Sequence, residues 1–223
     1  DRDVILEELK ELELSTYEEH DLDRKTEQEL LEAIQFLEDQ VDRTVDAGVH
    51  LGTYYKMVAI RYRDRRLYGL AAEYFEKALG VYPENHYLAY WAGVCESRRA
   101  AAVQEFDERR ALMDVAKRHH ERAIELEPRY TDALYALAVL HVFEYEEPAV
   151  AEPLLERVLA VESRHFRAMF LLARVYVVFG RIDDAVDLYD RIAEESSLDS
   201  MVMQAKENRA ELTGSSAGGR RRE

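Results

Sequence analysis

Cysteine is nearly absent: the 223 residues hold one, Cys95. That excludes an intrachain disulfide framework. Cys95 falls inside a predicted helix, where a small core residue is the expected role and a reactive thiol the alternative. Proline (4) and glycine (9) are also scarce, which leaves few helix breakers and suits a mostly helical chain. No run of about 18 apolar residues occurs, so nothing reads as a membrane-spanning helix. Chemistry-bearing motifs are missing too. There is no Gly-rich phosphate loop, no H-E-x-x-H, no C-x-x-C and no nucleophile elbow.

The remaining titratable residues offer little catalysis. His119 and His120 are adjacent, so on a helix they point about 100° apart and make no joint metal site. His141 and Glu144 lie on one helical face but lack a third ligand. Carboxylates abound without any evident pairing for acid–base work. The expectation is a protein with no catalytic residue, no metal and no cofactor.

Basic residues are outnumbered, 30 Lys+Arg against 46 Asp+Glu, for a net charge of −16. The excess is uneven. Residues 1–50 hold 17 acidic and 5 basic side chains, whereas residues 51–223 hold 29 and 25. The N-terminal part is strongly acidic and the rest nearly neutral. Nucleic acid is a poor partner for this balance, and solvated helix faces explain much of the acidity without any partner.

What the chain does have is a recurring pattern. Residues 55–83 run Tyr55-x2-Val58-Ala59-x2-Tyr62, then Ala71-x3-Phe75-x2-Ala78, then Pro83. The triplet Ala71, Phe75, Ala78 returns as Ala116, His120, Ala123, as Ala151, Leu155, Val158, and as Ala185, Tyr189, Ile192. From its last members the steps are 45, 35 and 34 residues. The first-helix pattern returns as Ala89-x2-Ala92-Gly93, Leu134-x2-Leu137-Ala138-x2-His141 and Met169-x2-Leu172-Ala173-x2-Tyr176. Pro128 closes the second unit as Pro83 closes the first. Small residues would let two helices approach, and the rings would fill the space between them.

This pattern resembles the tetratricopeptide repeat (TPR), a helix–turn–helix unit of about 34 residues. The signature Trp is missing; Trp91 lies two places beyond its expected position. The resemblance implies an all-α solenoid, a right-handed superhelix of antiparallel helix pairs, with helical caps at both ends. Four repeats are expected, at 52–85, 86–130, 131–164 and 166–199. The second carries 11 extra residues, and no Gly or Pro interrupts 94–127. Shared between the two helices, they would lengthen the hairpin by about 8 Å, with its tip near Gln104–Arg109. In the third repeat Pro148 suits a helix start, whereas Pro153 requires a later start or a kink.

Outside the repeats, residues 1–25 read as an acidic arm in which Ile5, Leu9 and Leu12 share a helical face. A capping helix is expected over 26–51, opened by Thr26-x-x-Glu29 and stopped at Gly48. A C-terminal capping helix is expected over 200–213, followed by a disordered tail at 214–223.

In TPR proteins the first helices line a concave surface that usually receives a peptide or helix. Carried onto this chain, the resemblance places Lys56, Tyr90, Tyr135 and Phe170 at the fifth place of each repeat. The ninth place gives Ile60, Val94, Val139 and Arg174. The twelfth gives Arg63, Ser97, Val142 and Val177. This groove is apolar and aromatic, with Lys56 and Arg174 toward its ends. Either the chain's own curvature or arm buries these side chains, or they receive a partner. The chaperone-binding subclass clamps a C-terminal carboxylate with Lys, Asn and Arg. This chain departs from that clamp at Ile60, Trp91 and Asp132, so a chaperone tail is not the expected ligand.

The expected function is a non-enzymatic scaffold or adaptor that holds a protein or peptide partner in this groove. One alternative is a carrier of an apolar small molecule or a transporter-associated TPR subunit, favoured by a closed pocket. Another is self-assembly, with the arm or the groove as the contact between copies. The expected location is the cytoplasm. The chain opens on Asp1 rather than Met, and a removed leader or anchor would place it in the periplasm or on a membrane.

Overall fold

The computed structural model describes residues 24–218. Among them are nine helices and no strand. They are α1 (Arg24–Asp64), α2 (Tyr68–Val81), α3 (His86–Ala100), α4 (Phe106–Leu126), α5 (Thr131–Phe143), α6 (Pro148–Val161), α7 (Phe166–Val178), α8 (Ile182–Glu195) and α9 (Asp199–Gly218). No helix among the described residues is long and apolar enough to cross a membrane. The chain divides into two compact units, 1–51 and 52–223. Most of the acidic arm lies outside the described residues, as do the last five residues of the tail.

The first unit contributes the N-terminal part of α1, whose described Val45, Val49 and Leu51 are exposed. Gly48 does not stop this helix, and no separate cap ends before residue 52. A glycine inside a helix costs about 1 kcal/mol relative to alanine but forbids nothing. Termination needs a turn that reverses the chain, and none forms there.

The second unit is a run of helix pairs: residues 52–64 of α1 with α2, α3 with α4, α5 with α6, and α7 with α8, closed by α9. The repeating triplet explains the pairing. All twelve of its members are buried, none more than 6% exposed. Ala59, Ala92, Ala138 and Ala173 face them from the first helices, each at 0%. Methyl groups at these crossings let backbones approach, and Phe75, His120, Leu155 and Tyr189 fill what is left. At Gly93 the approach is closer still. A Cβ there would lie 2.7 Å from the His120 ring and 3.0 Å from the Ala116 carbonyl.

Polar latches repeat with the same period. The Arg157 guanidinium donates to the Pro128 carbonyl at 2.9 Å, and Arg191 does the same to Ser163 at 2.6 Å. Each ties a second helix to the loop before the preceding first helix.

Three of the four turns inside the pairs use a left-handed residue: Arg66 (φ 60°), Glu146 (φ 56°) and Gly180 (φ 73°). At the first and last, the next N–H reaches five residues back, Leu67 to Tyr62 at 2.9 Å and Arg181 to Tyr176 at 2.8 Å. These are Schellman closures, which satisfy carbonyls left open at a helix end.

The second pair has no such turn. Its extra length falls mainly in α4, which has 21 residues against 14 in α2, α6 and α8. The link is 101–105, earlier than the tip expected near Gln104–Arg109. Glu105 accounts for the early start. Its carboxylate accepts from Glu108 N at 2.6 Å, and Asp107 and Glu108 complement the helix dipole. Pro148 stands at the N-terminus of α6, and Pro153 lies inside it without displacing its start.

Candidate functional site

The face lined by first helices carries two adjoining cavities, of about 540 and 450 Å³, both open to solvent. The larger is built from α5, α7, α8 and α9, with Phe170, Arg174, Val177 and Leu212 in its wall. The smaller is built from α3, α4, α5 and α7, with Tyr90, Val94 and Val139. Tyr135, Phe143 and Arg167 border both.

Six of the eight groove residues picked out by repeat position therefore line these cavities: Tyr90, Val94, Tyr135, Val139, Phe170 and Arg174. Lys56 and Ile60 do not. Ile60 packs instead against the cluster around Ala59 and Phe75. Arg63 is engaged locally; its guanidinium donates to Asp64 at 2.9 and 3.0 Å and sits 4.1 Å above the Trp91 ring.

Ring contacts set the cavity walls. Tyr90 touches Trp91 at 5.2 Å, Tyr130 at 5.2 Å and His120 at 5.8 Å between centroids. Tyr135 lies 5.1 Å from His165, and Phe170 6.0 Å from Tyr189. Edge and tilted geometries of this kind hold rings in place. Burial pushes the Tyr90 phenol up to about 12, so it stays protonated and able to donate. Neither the Tyr90 nor the Tyr135 hydroxyl has a protein acceptor among the described residues.

Charge in the site is unevenly satisfied. Glu144 is held by Arg109 in a two-pronged contact at 2.6 and 2.7 Å, and its carbonyl accepts from Arg110 at 3.0 Å. Arg98, Arg167 and Arg174 line the cavities without a carboxylate partner among the described residues. The Arg174 guanidinium lies 5.0 Å over the Phe143 ring.

Repeat arithmetic had not singled out Arg167 or Phe143. Arg167 stands three residues before Phe170 on the same first helix, so the helical period puts it on the same face as that groove place. Phe143 is the last residue of α5, and only the turn that follows exposes its ring at 51%.

Two histidines pair with carboxylates. His119 Nε2 lies 2.5 Å from Glu76, and His141 Nδ1 lies 2.8 Å from Glu147 rather than near Glu144. No cluster of three metal-binding side chains occurs among the described residues. His120 is 1% exposed and its Nδ1 has no partner. Desolvation lowers its pKa to about 3. Cys95 is fully buried and its thiol is pushed up to about 12 by the same cause, so it is a core residue rather than a nucleophile.

The tetratricopeptide repeat profile matches residues 57–112 and 145–200, half of the chain. A TPR repeat-containing protein of Borreliella burgdorferi is 20% identical over 144 residues, 65% of this chain and 63% of its own length. The chain thus aligns with less than two thirds of that relative. Among solved structures, human IFIT1 as a dimer with m7Gppp-AAAA superposes with a TM-score of 0.65 at 17% identity, over 88% of this chain and 45% of that one. YrrB, described as a TPR protein with an unusual peptide-binding site, gives 0.61 at 19%, over 79% and 83%. The first TPR of Spaghetti (RPAP3), bound to the HSP90 peptide SRMEEVD, gives 0.50 at 21%, over 59% and 94%. At these identities the superpositions speak for the fold alone. With the profile and the repeating core, they establish that this chain belongs to the tetratricopeptide repeat family, whose fold serves in general as a scaffold for protein–protein interaction.

Proposed function

We propose that this protein is a non-enzymatic adaptor that holds a segment of a protein partner along the face of its first helices. The observation that carries the reading is the pair of adjoining open cavities sharing Tyr135, Phe143 and Arg167. An elongated apolar trough with aromatic walls suits an extended or helical segment that sets one side chain in each cavity. A small apolar ligand would be served better by an enclosed pocket that buries most of its surface. The peptide-binding site described for YrrB and the peptide bound to the first TPR of Spaghetti support the same reading.

The test is site-directed photo-crosslinking in cells. A photoreactive residue at Val139 or Phe170 should trap one segment of one partner, and Tyr135→Ala should abolish the product. A probe at exposed Glu156, on second helix α6, should not give that product. Crosslinking from Glu156 alone would overturn the reading. A small molecule that copurifies and is lost in Tyr135→Ala would favour the carrier alternative. Mass that rises with concentration would favour self-assembly.

A further inference from the structure

The groove is rich in donors and poor in free acceptors. Arg98, Arg167 and Arg174 lack carboxylate partners among the described residues, and so do the phenol hydroxyls of Tyr90 and Tyr135 lack acceptors. Against them the cavities offer three carboxylates, Asp132, Glu144 and Glu211, and Glu144 is already taken by Arg109. With Glu144 offset by Arg109, three guanidiniums face two free carboxylates, a local excess of one positive charge on a chain whose net charge is −16. An unpaired guanidinium is a ready fork for a carboxylate. Arg167 borders both cavities, so it stands between the two places where apolar side chains would sit. A ligand that fits must bring acceptors and apolar groups in alternation.

Resting on the adaptor reading, we infer that the partner is an internal, acidic and apolar peptide segment. Its carboxylates are received by Arg98, Arg167 and Arg174, and its apolar side chains are seated beside Tyr90, Tyr135 and Phe170. The segment is internal because the places that would clamp a terminal carboxylate hold Ile60, Trp91 and Asp132. Nucleic acid also brings anions, but one on every nucleotide, so a chain of net charge −16 repels it more strongly than a segment with a few carboxylates.

The full chain is panned against a random twelve-residue peptide library displayed with both peptide ends joined to the carrier. The expected selectants carry Asp or Glu among Leu, Ile or Phe. Their affinity should fall about tenfold in Arg167→Ala, as for one charge-assisted hydrogen bond, and recover in part in Arg167→Lys. It should also weaken as salt rises from about 50 to 500 mM. Neutral or basic selectants that still need Tyr135 would overturn the acidic segment and leave the adaptor reading standing. Selectants indifferent to Tyr135→Ala, or no selectants, would overturn both. A single-stranded RNA oligonucleotide that displaces the peptides and depends on Arg167 would overturn the inference in favour of nucleic acid. Because Arg167 is exposed, its variants are expected to fold, and circular dichroism checks this.

Discussion

His120 occupies a place that Phe75, Leu155 and Tyr189 fill elsewhere, and it does so as a neutral imidazole. Its pKa is lowered from 6.5 to about 3 by desolvation, with His119 adding to the shift. The unfolded chain therefore binds this proton more readily than the folded one. Stability from this group is complete above about pH 6.5 and falls as pH drops toward 3, by up to about 1.4 kcal/mol per unit. Glu76, held low by its hydrogen bond from His119, adds loss in acid; buried Glu96, raised by desolvation, works the other way. Urea titrations from pH 5.5 to 7.5 should show the slope, and His120→Phe should flatten it relative to wild type. Equal slopes in both proteins would contradict this account of His120.

Glycines make a second contrast at the same scale. A Cβ at Gly80 meets nothing within 4 Å, so Gly80→Ala should stabilise helix α2 by about 0.5–1 kcal/mol. At Gly52 a Cβ would lie 2.7 Å from Tyr82 and Val81 side chains, and Gly93 is crowded by backbone as well. Gly52→Ala and Gly93→Ala should each cost about 1–3 kcal/mol in denaturant unfolding.

The turns are where elements meet their limits. Arg66 and Gly180 adopt the same left-handed geometry in equivalent closures, yet only glycine does so without strain. Arg66→Gly should gain about 1 kcal/mol and Gly180→Ala should lose about as much, read from shifts in the urea midpoint. The gain at Arg66 is the sharper test, because few exposed substitutions to glycine stabilise anything. Helix α4 offers a different element-level prediction. Its extra turns carry Arg109 and Arg110 to the end of α5, where Arg109 forks onto Glu144 and Arg110 lies 4.1 Å over the Tyr145 ring. The Tyr145 hydroxyl then donates to Asp114 at 2.7 Å. A double-mutant cycle on Arg109 and Glu144 should give a coupling near 1 kcal/mol, the upper end for a partly exposed pair.

At the scale of the molecule, the repeat was legible because its core depends on few atoms. Small residues at fixed spacing and one bulky residue between them leave a trace that survives substitution, even by His120 or Leu155. Helix ends were harder to read. Gly48 looks like a stop, but nothing in a glycine compels one. The 11 extra residues read as a hairpin lengthened in both helices, whereas most of them go to α4, because Glu105 caps that helix early. The candidate site was legible in its first-helix places and opaque in Phe143, whose exposure belongs to the turn after it. Each pair packs mainly on its neighbours, so protection need not be uniform. Hydrogen exchange should be slowest in α5 and α7, which have partners on both sides, and faster in α9. Uniform protection across the second unit would argue for a single cooperative block.

Cys95 has one more use. It is the chain's single thiol, fully enclosed among Ala59, Phe75 and Leu88, and its high pKa keeps it silent while it stays enclosed. A thiol reagent can reach it only when the first two repeats separate. Its labelling rate is therefore a clock built into the protein, timing how often that joint opens without any probe having to be installed.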